Sequence, residues 1–229
     1  MAPPKTSQLL EILVQAATAI VEERGRREVT LRSVAERVTA DVRRISHTAA
    51  FAHVSGQLEL LSHVAAGGWA RLLDDLGAAA AVEAPADRLV ALGVTYRRFA
   101  AAHPNLFRVM YDEEMWARIS ATAPTSEPPS ASVAPRGNGF KQPQVLERVR
   151  ERRDEAFGMF VAVVAEGIRA GALRSDGSLM LMARSVAALA HGLAMEALDE
   201  RLPEGEVRPI LQIAVEGLRS NDELDVNAD

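Results

Sequence analysis

The sequence predicts an all-α protein of about nine helices, with a helix-turn-helix near its N-terminus. Three observations carry this. Apolar residues make up 48% of the 229 residues but aromatic ones only 4%, so Ala, Leu and Val carry the hydrophobic fraction. An Ala- and Leu-rich chain without long β-branched runs favours helix. Apolar residues recur at three- and four-residue spacing along most of the chain, and no stretch alternates as a half-buried strand would. Helix punctuation stands where the periodic stretches end: Gly25 and Gly171 as caps, Pro85 as a first-turn residue, His103-Pro104 as a break.

Residues 1–6 read as a loose tail. A first helix is predicted over about 7–24, with Leu9, Leu13, Ala16, Ala17 and Ile20 on one face. Leu31, Val34, Ala35 and Val38 give the one-face spacing of a short second helix, and Thr30 stands at its N-cap. Thr39 to Arg44 reads as a break. A further short helix, Ile45 to about Phe51, offers Ser46, His47 and Thr48 on its outward face. A long helix follows over about 57–80, behind Ser55-Gly56, with Leu61, Val64, Trp69, Leu72 and Leu76 as its stripe. Two short helices and a long one, with small polar donors on the middle one, suit a helix-turn-helix whose recognition helix enters a DNA major groove.

The remaining helices are predicted over about 85–102, 104–120 and 144–170, then from Asp176 or Ser178 to about 201, and a last one whose start is flanked by Pro203 and Pro209. Between them, residues 121–143 hold five of the eleven prolines and many Ser and Ala residues, with no surviving apolar period; they read as a flexible insertion. Residues 221–229 are acidic and read as a disordered tail.

Composition excludes several classes. The chain has no cysteine, which removes disulfides and thiolate metal sites. The five histidines, at 47, 53, 63, 103 and 191, show no metal-ligand spacing, and no nucleophile or phosphate-loop motif occurs, so no metal, cofactor or catalytic residue is expected. No signal pattern opens the chain, and no apolar run reads as approaching the roughly 20 residues that span a bilayer, so a soluble cytoplasmic protein is expected. The net charge of −5 conceals an asymmetry. Residues 1–66 hold 8 basic and 7 acidic residues, while the rest hold 18 and 24. The N-terminal part is near neutral, a weak electrostatic footprint for a DNA-binding domain.

The N-terminal quarter resembles the TetR family of tetracycline-repressor-like bacterial transcription regulators. The matching residues are Glu23 and Gly25 at the end of the first helix, Thr30 and Arg32 at the entry to the second, Phe51-Ala52-His53-Val54 after the recognition helix, and Gln57-Leu58-Glu59-Leu60 at the start of the long one. Three positions depart from the pattern: Phe51 for a tyrosine, Val54 for a phenylalanine and Gln57 for a lysine. The family's tyrosine hydroxyl and lysine touch phosphates, and neither Phe51 nor Gln57 replaces that chemistry. The 39–44 stretch also looks like an insertion in the family's short turn. It brings Arg43 and Arg44 beside the recognition helix, as substitute phosphate contacts or as solvated loop charges. Further on, the segment from Leu92 to Met195, with Ala190-His191-Gly192, resembles a C-terminal class named for a Trp-His-Gly motif; the Trp is absent here.

The resemblance implies a DNA-binding domain over 7–55 and a ligand-binding and dimerisation domain over 56–220. Its DNA face would comprise Thr30, Arg32, Arg43, Arg44, Ser46, His47, Thr48, Phe51, His53 and Gln57. A helix N-terminus such as that at Thr30 attracts phosphate, and side chains on the recognition helix read base edges or phosphates. Ser46 could instead cap its helix, and His53 is as readily structural. In the second domain, Phe99, Phe107, Met110, Tyr111, Trp116, Phe157, Phe160 and His191 are candidates to line an apolar cavity with few polar groups, the usual form of a small-molecule site; plain core packing is the competing reading. Small residues along the 178–201 helix suit a homodimer. The sequence therefore reads as a ligand-responsive regulator, a repressor released from a palindromic operator by a small apolar effector. The alternative is a scaffold of the same fold that has lost operator binding and serves as a small-molecule or protein-interaction module.

Overall fold

The computed structural model describes residues 6–41, 54–82, 84–122, 139–199 and 201–219. Among them the chain is helical apart from one 3-10 turn, an isolated bridge between Leu173 and Arg219, and short connections. The helices are α1 (Thr6–Arg24), α2 (Leu31–Asp41), α3 (Gln57–Ala79), α4 (Pro85–Ala102), α5 (Pro104–Met110), α6 (Glu113–Thr122), α7 (Gln144–Arg169), α8 (Leu179–Leu198) and α9 (Glu204–Glu216). The expected recognition helix, Ile45 to Phe51, lies outside the described residues, as does the 221–229 tail.

Several boundaries follow directly from sequence chemistry. Gly25 closes α1 with φ +85°, its N–H donating to the Val21 carbonyl at 2.8 Å. Gly171 does the same after α7 with φ +71°. Pro85 opens α4, and His103 ends it by donating its N–H to the Phe99 carbonyl at 2.9 Å.

Other boundaries correct the sequence reading. α2 does not stop at Val38. It continues through Thr39, whose hydroxyl donates to the Ala35 carbonyl at 2.7 Å, to Asp41, so half of the expected 39–44 insertion is helix. The single helix expected over 104–120 is two. Asp112 caps α6, its carboxylate accepting the Met115 N–H at 3.0 Å, and the Trp116 indole N–H donates to the Met110 carbonyl left open at the end of α5 (2.9 Å). A capping aspartate outcompetes helix continuation because it satisfies an orphan donor. Pro209 lies inside α9 rather than flanking it. Of the expected 121–143 insertion, Ala121 and Thr122 finish α6, and the Gln142 and Pro143 carbonyls accept the Val145 and Leu146 N–H groups of α7, while 123–138 lie outside the described residues. Finally, α8 is long and apolar enough by length and composition to cross a bilayer, which the sequence reading had not found; its charges are Arg184 and Glu196.

The chain divides into two compact units, Met1–Trp69 with Asn105–Glu151, and Ala70–Pro104 with Arg152–Asp229. Neither is contiguous in sequence, because the chain passes between them three times: inside α3, at Pro104–Asn105 in the first turn of α5, and inside α7. In the first unit, α1 packs on α2, and the core holds Leu13, Val34, Leu61, Trp69, Phe107 and Met110, all at or below 1% exposure. In the second, α4, α8 and α9 pack on one another. Gly93 of α4 makes room for α9: a Cβ there would sit 2.7 Å from the Leu211 side chain. The α7–α8 connection returns to the end of α9 through Arg174 N–H to the Leu218 carbonyl, 2.9 Å.

Candidate nucleic-acid interface and effector pocket

The entry to α2 is built by a reciprocal cap. The Ser33 N–H donates to Thr30 Oγ1 at 2.9 Å, and the Thr30 N–H donates to Ser33 Oγ at 2.9 Å. This is a capping box with serine where glutamate or glutamine is usual, and it fixes the helix start on an exposed surface. Arg32, in the first turn, projects into solvent with its side chain 77% exposed and its Nε 2.8 Å from Glu36. That hydrogen bond raises its proton affinity further, so the charge is permanent. An exposed i,i+4 pair opens easily, which leaves Arg32 free to exchange Glu36 for a phosphate. Arg37 differs: both of its terminal nitrogens bond both oxygens of Glu23 at 2.7 Å, tying α2 to the end of α1. The same bonds from Arg37 lower the proton affinity of Glu23.

Gln57 is exposed at the first turn of α3, and its amide donates to the Arg26 carbonyl at 3.2 Å. It therefore braces α3 against the 3-10 turn Arg26–Glu28. Arg26 also pairs with the buried Asp112, and Asn105 donates to the Glu22 carbonyl at 3.2 Å. Thr30, Arg32 and Gln57 are the candidates for DNA contact that the structure places. Arg43, Arg44, Ser46, His47, Thr48, Phe51 and His53 lie outside the described residues.

Behind this surface, α3 carries a buried polar row that the sequence reading missed: Glu59, Ser62 and His63, at 0%, 0% and 7% exposure. Burial alone would raise the Glu59 carboxyl, but N–H groups of Ser55, Gln142 and Lys141 bond it and leave it below the usual carboxylate range. His63 is pushed down to about 4, first by burial and then by the neighbouring Arg148 guanidinium, with Glu59 opposing. Arg148 lies 3.4 Å from His63 Nδ1, so that nitrogen accepts and the proton of the neutral ring sits on Nε2. His63 Nε2 and the indole nitrogen of Trp69 are buried donors without a protein partner among the described residues. An acidic residue three places into a helix, after a Ser-Gly, is the sequence signal that marks Glu59.

The eight effector candidates fall into two groups. Phe107, Met110, Tyr111 and Trp116 belong to the first unit. Tyr111 meets the Trp69 ring edge-on (centroids 5.4 Å apart, planes at 61°) and tilts against Phe107 at 5.1 Å. Phe107 and Met110 are fully buried; Tyr111 and Trp116 are half-buried. Phe99, Phe157, Phe160 and His191 belong to the second unit. Phe99 and Phe160 are core residues at 2% exposure, while Phe157 is half-buried. His191 Nδ1 lies 3.4 Å from the Tyr96 hydroxyl, and burial lowers its proton affinity. A cleft of about 390 Å³ opens in the second unit between the ends of α3 and α4, lined by Asp75, Thr95, Arg98, Phe99 and His103 among others. Only Phe99 of the expected set lines it.

An all-helical chain with a capped, braced helical head and a second helical unit has the architecture of a transcription regulator. Residues 89–218 match the family described as "Tetracyclin repressor-like, C-terminal domain", more than half of the chain. Among solved structures, a protein of unknown function from Rhodococcus sp. RHA1 has a TM-score of 0.69 at 26% identity, covering 93% of this chain and 96% of that one. The ketosteroid transcriptional regulator KstR2 of Mycobacterium tuberculosis has a TM-score of 0.56 at 17% identity, covering 96% and 97%. The transcriptional regulator FadR from Bacillus subtilis, in complex with stearoyl-CoA, has 0.60 at 10%, covering 92% and 98%. The last two share the fold. No curated protein matches the chain. The chain belongs to the tetracyclin repressor-like family and is a transcriptional regulator.

Proposed function

We propose that the protein is a homodimeric repressor that binds a near-palindromic DNA operator through the 7–55 domain. A small, largely apolar effector held by the 56–220 domain releases it, and the protein works in the cytoplasm without catalysing a reaction. The observation that carries this is the family match over 89–218, joined to an exposed, capped helix entry at Thr30 and Arg32. Of the similar folds, one is a ketosteroid transcriptional regulator and another is in complex with stearoyl-CoA. That supports an effector with a large apolar part.

The dimer reading rests on α8 and α9. Leu181, Ser185, Ala188, Gly192 and Met195 lie at alternating four- and three-residue spacing and are all exposed; Leu181 is 63% exposed and Ile213 of α9 75%. The space beside Gly192 is open. A stripe of small and apolar residues facing solvent suits a two-fold helical interface with a second copy. Effector binding would act as a linkage of about 1–3 kcal/mol between two states, and α3 is the continuous element that carries the chain from the head into the second unit.

The test is fluorescence anisotropy with DNA flanking the protein's own coding region, across a salt series. Saturable binding with a steep salt slope that survives excess unrelated DNA is the expected result. Binding no better than to random DNA, by a folded dimer, favours the second reading: a scaffold without operator binding. The Gln57 amide, tied to the Arg26 carbonyl where the family pattern has a lysine, is the observation on that side.

A further inference from the structure

We propose that Glu59 is a positioning residue that locks the exit of the DNA-reading segment to the α6–α7 connection, so that the two move as one. This rests on the reading of residues 45–51 as the recognition helix.

A glutamate in the first turn of a helix usually bonds only the local N-terminal N–H groups. The Glu59 carboxylate bonds one local residue, through the Ser55 N–H at 2.6 Å, and two donors 82 and 83 residues away, Lys141 N–H at 3.1 Å and Gln142 N–H at 2.5 Å. It is fully buried and makes no ion pair among the described residues. Its charge is held by the N–H and hydroxyl of Ser55 and by the N–H groups of Lys141 and Gln142, contributed by two separate stretches of chain. Ser55 stands four residues beyond Phe51. Residues 141–142 are the last before Pro143 and α7, and Phe140 beside them lies under the Arg118 guanidinium of α6, 5.4 Å from its ring centroid. If 141–142 withdraw, Glu59 becomes a buried carboxylate held by Ser55 alone. That state is unfavourable because a buried charge needs its full complement of partners. The start of α3 must then loosen or take in water. Displacement at the α6–α7 connection is thereby transmitted to Ser55.

The experiment uses the full chain with Gln142→Pro and Glu59→Gln, and Gln142→Ala as the side-chain control. Gln142→Pro deletes the N–H donor and also restricts the backbone of Lys141, the residue before it, so both distant donors are perturbed at once. Amide hydrogen exchange of Ser55 and DNA binding at fixed salt are both measured. Expected for Gln142→Pro and Glu59→Gln is a rise of about tenfold or more in Ser55 exchange and a similar loss of operator affinity, the size of one charge-assisted hydrogen bond; Gln142→Ala stays near wild type. Unchanged exchange at Ser55 in Gln142→Pro overturns the proposal, whatever the DNA result. If the wild type binds no DNA specifically, the repressor reading fails, and Ser55 exchange still decides whether the lock exists.

Discussion

Acidification should destabilise the first unit through His63. Its folded pKa is about 4 against an ordinary 6.5. Between those values the unfolded chain takes up a proton that the folded one refuses, so stability falls as pH drops from about 6.5 to about 4 and levels off below. At about 1.4 kcal/mol for each tenfold change in proton affinity, the full effect is at most roughly 3 kcal/mol, and most of it is lost by pH 4.5. Glu59 is also shifted down, but for an acid that shift contributes to stability with the opposite sign. It is held below 4.5, so its contribution is present above 4.5 and fades only below it, which leaves the upper window free of it. His191 is also lowered, but it belongs to the second unit. Both tryptophans, Trp69 and Trp116, lie in the first unit, so their emission reports the unfolding of the unit that holds His63. Urea unfolding followed by tryptophan fluorescence, at about pH 7 and pH 4.5 and one protein concentration, gives the pH slope for the wild type and for His63→Gln. The wild type should lose roughly 2–3 kcal/mol more than the variant over this interval. Equal losses would refute the assignment of a buried neutral imidazole to His63.

Four further outcomes are expected. Thr30→Ala removes one half of the reciprocal cap with Ser33 and should cost about 1 kcal/mol in the same unfolding assay, with a matching loss from Ser33→Ala and a non-additive double variant. Asp112→Ala removes the Met115 cap and leaves Arg26 unpaired; a loss of about 2–3 kcal/mol is expected, smaller in Asp112→Asn, which keeps an acceptor for the cap. Met195→Glu combined with Ile213→Glu should turn the dimer into a monomer by sedimentation, with helix content by circular dichroism kept; an unchanged dimer would place the interface elsewhere. Arg43→Ala with Arg44→Ala should weaken DNA binding and lower the salt slope by about 2 if both touch phosphate, and an unchanged slope would remove them from the interface.

The helices were legible in the sequence because their causes are local. Apolar spacing, Gly25 and Gly171 at caps, Pro85 at a first turn and His103-Pro104 at a break act within a few residues of the backbone they shape. The family, too, was legible from short patterns spread over the first quarter and the Leu92–Met195 segment, and the match over 89–218 bears it out. Errors arose where two local signals competed. Asp112 could continue a helix or cap one, and the choice went to capping because the Trp116 indole was in reach of the Met110 carbonyl. Only the tertiary structure decided the rest. Phe107, Met110, Tyr111 and Trp116 belong to one unit and Phe99, Phe157, Phe160 and His191 to the other, a division that their spacing along the chain does not carry. In the sequence, Glu59 is one residue of the family-like Gln57-Leu58-Glu59-Leu60 stretch. Its significance comes from two N–H groups more than eighty residues away, and periodicity in a sequence carries no information about which distant backbone donors will meet a given carboxylate.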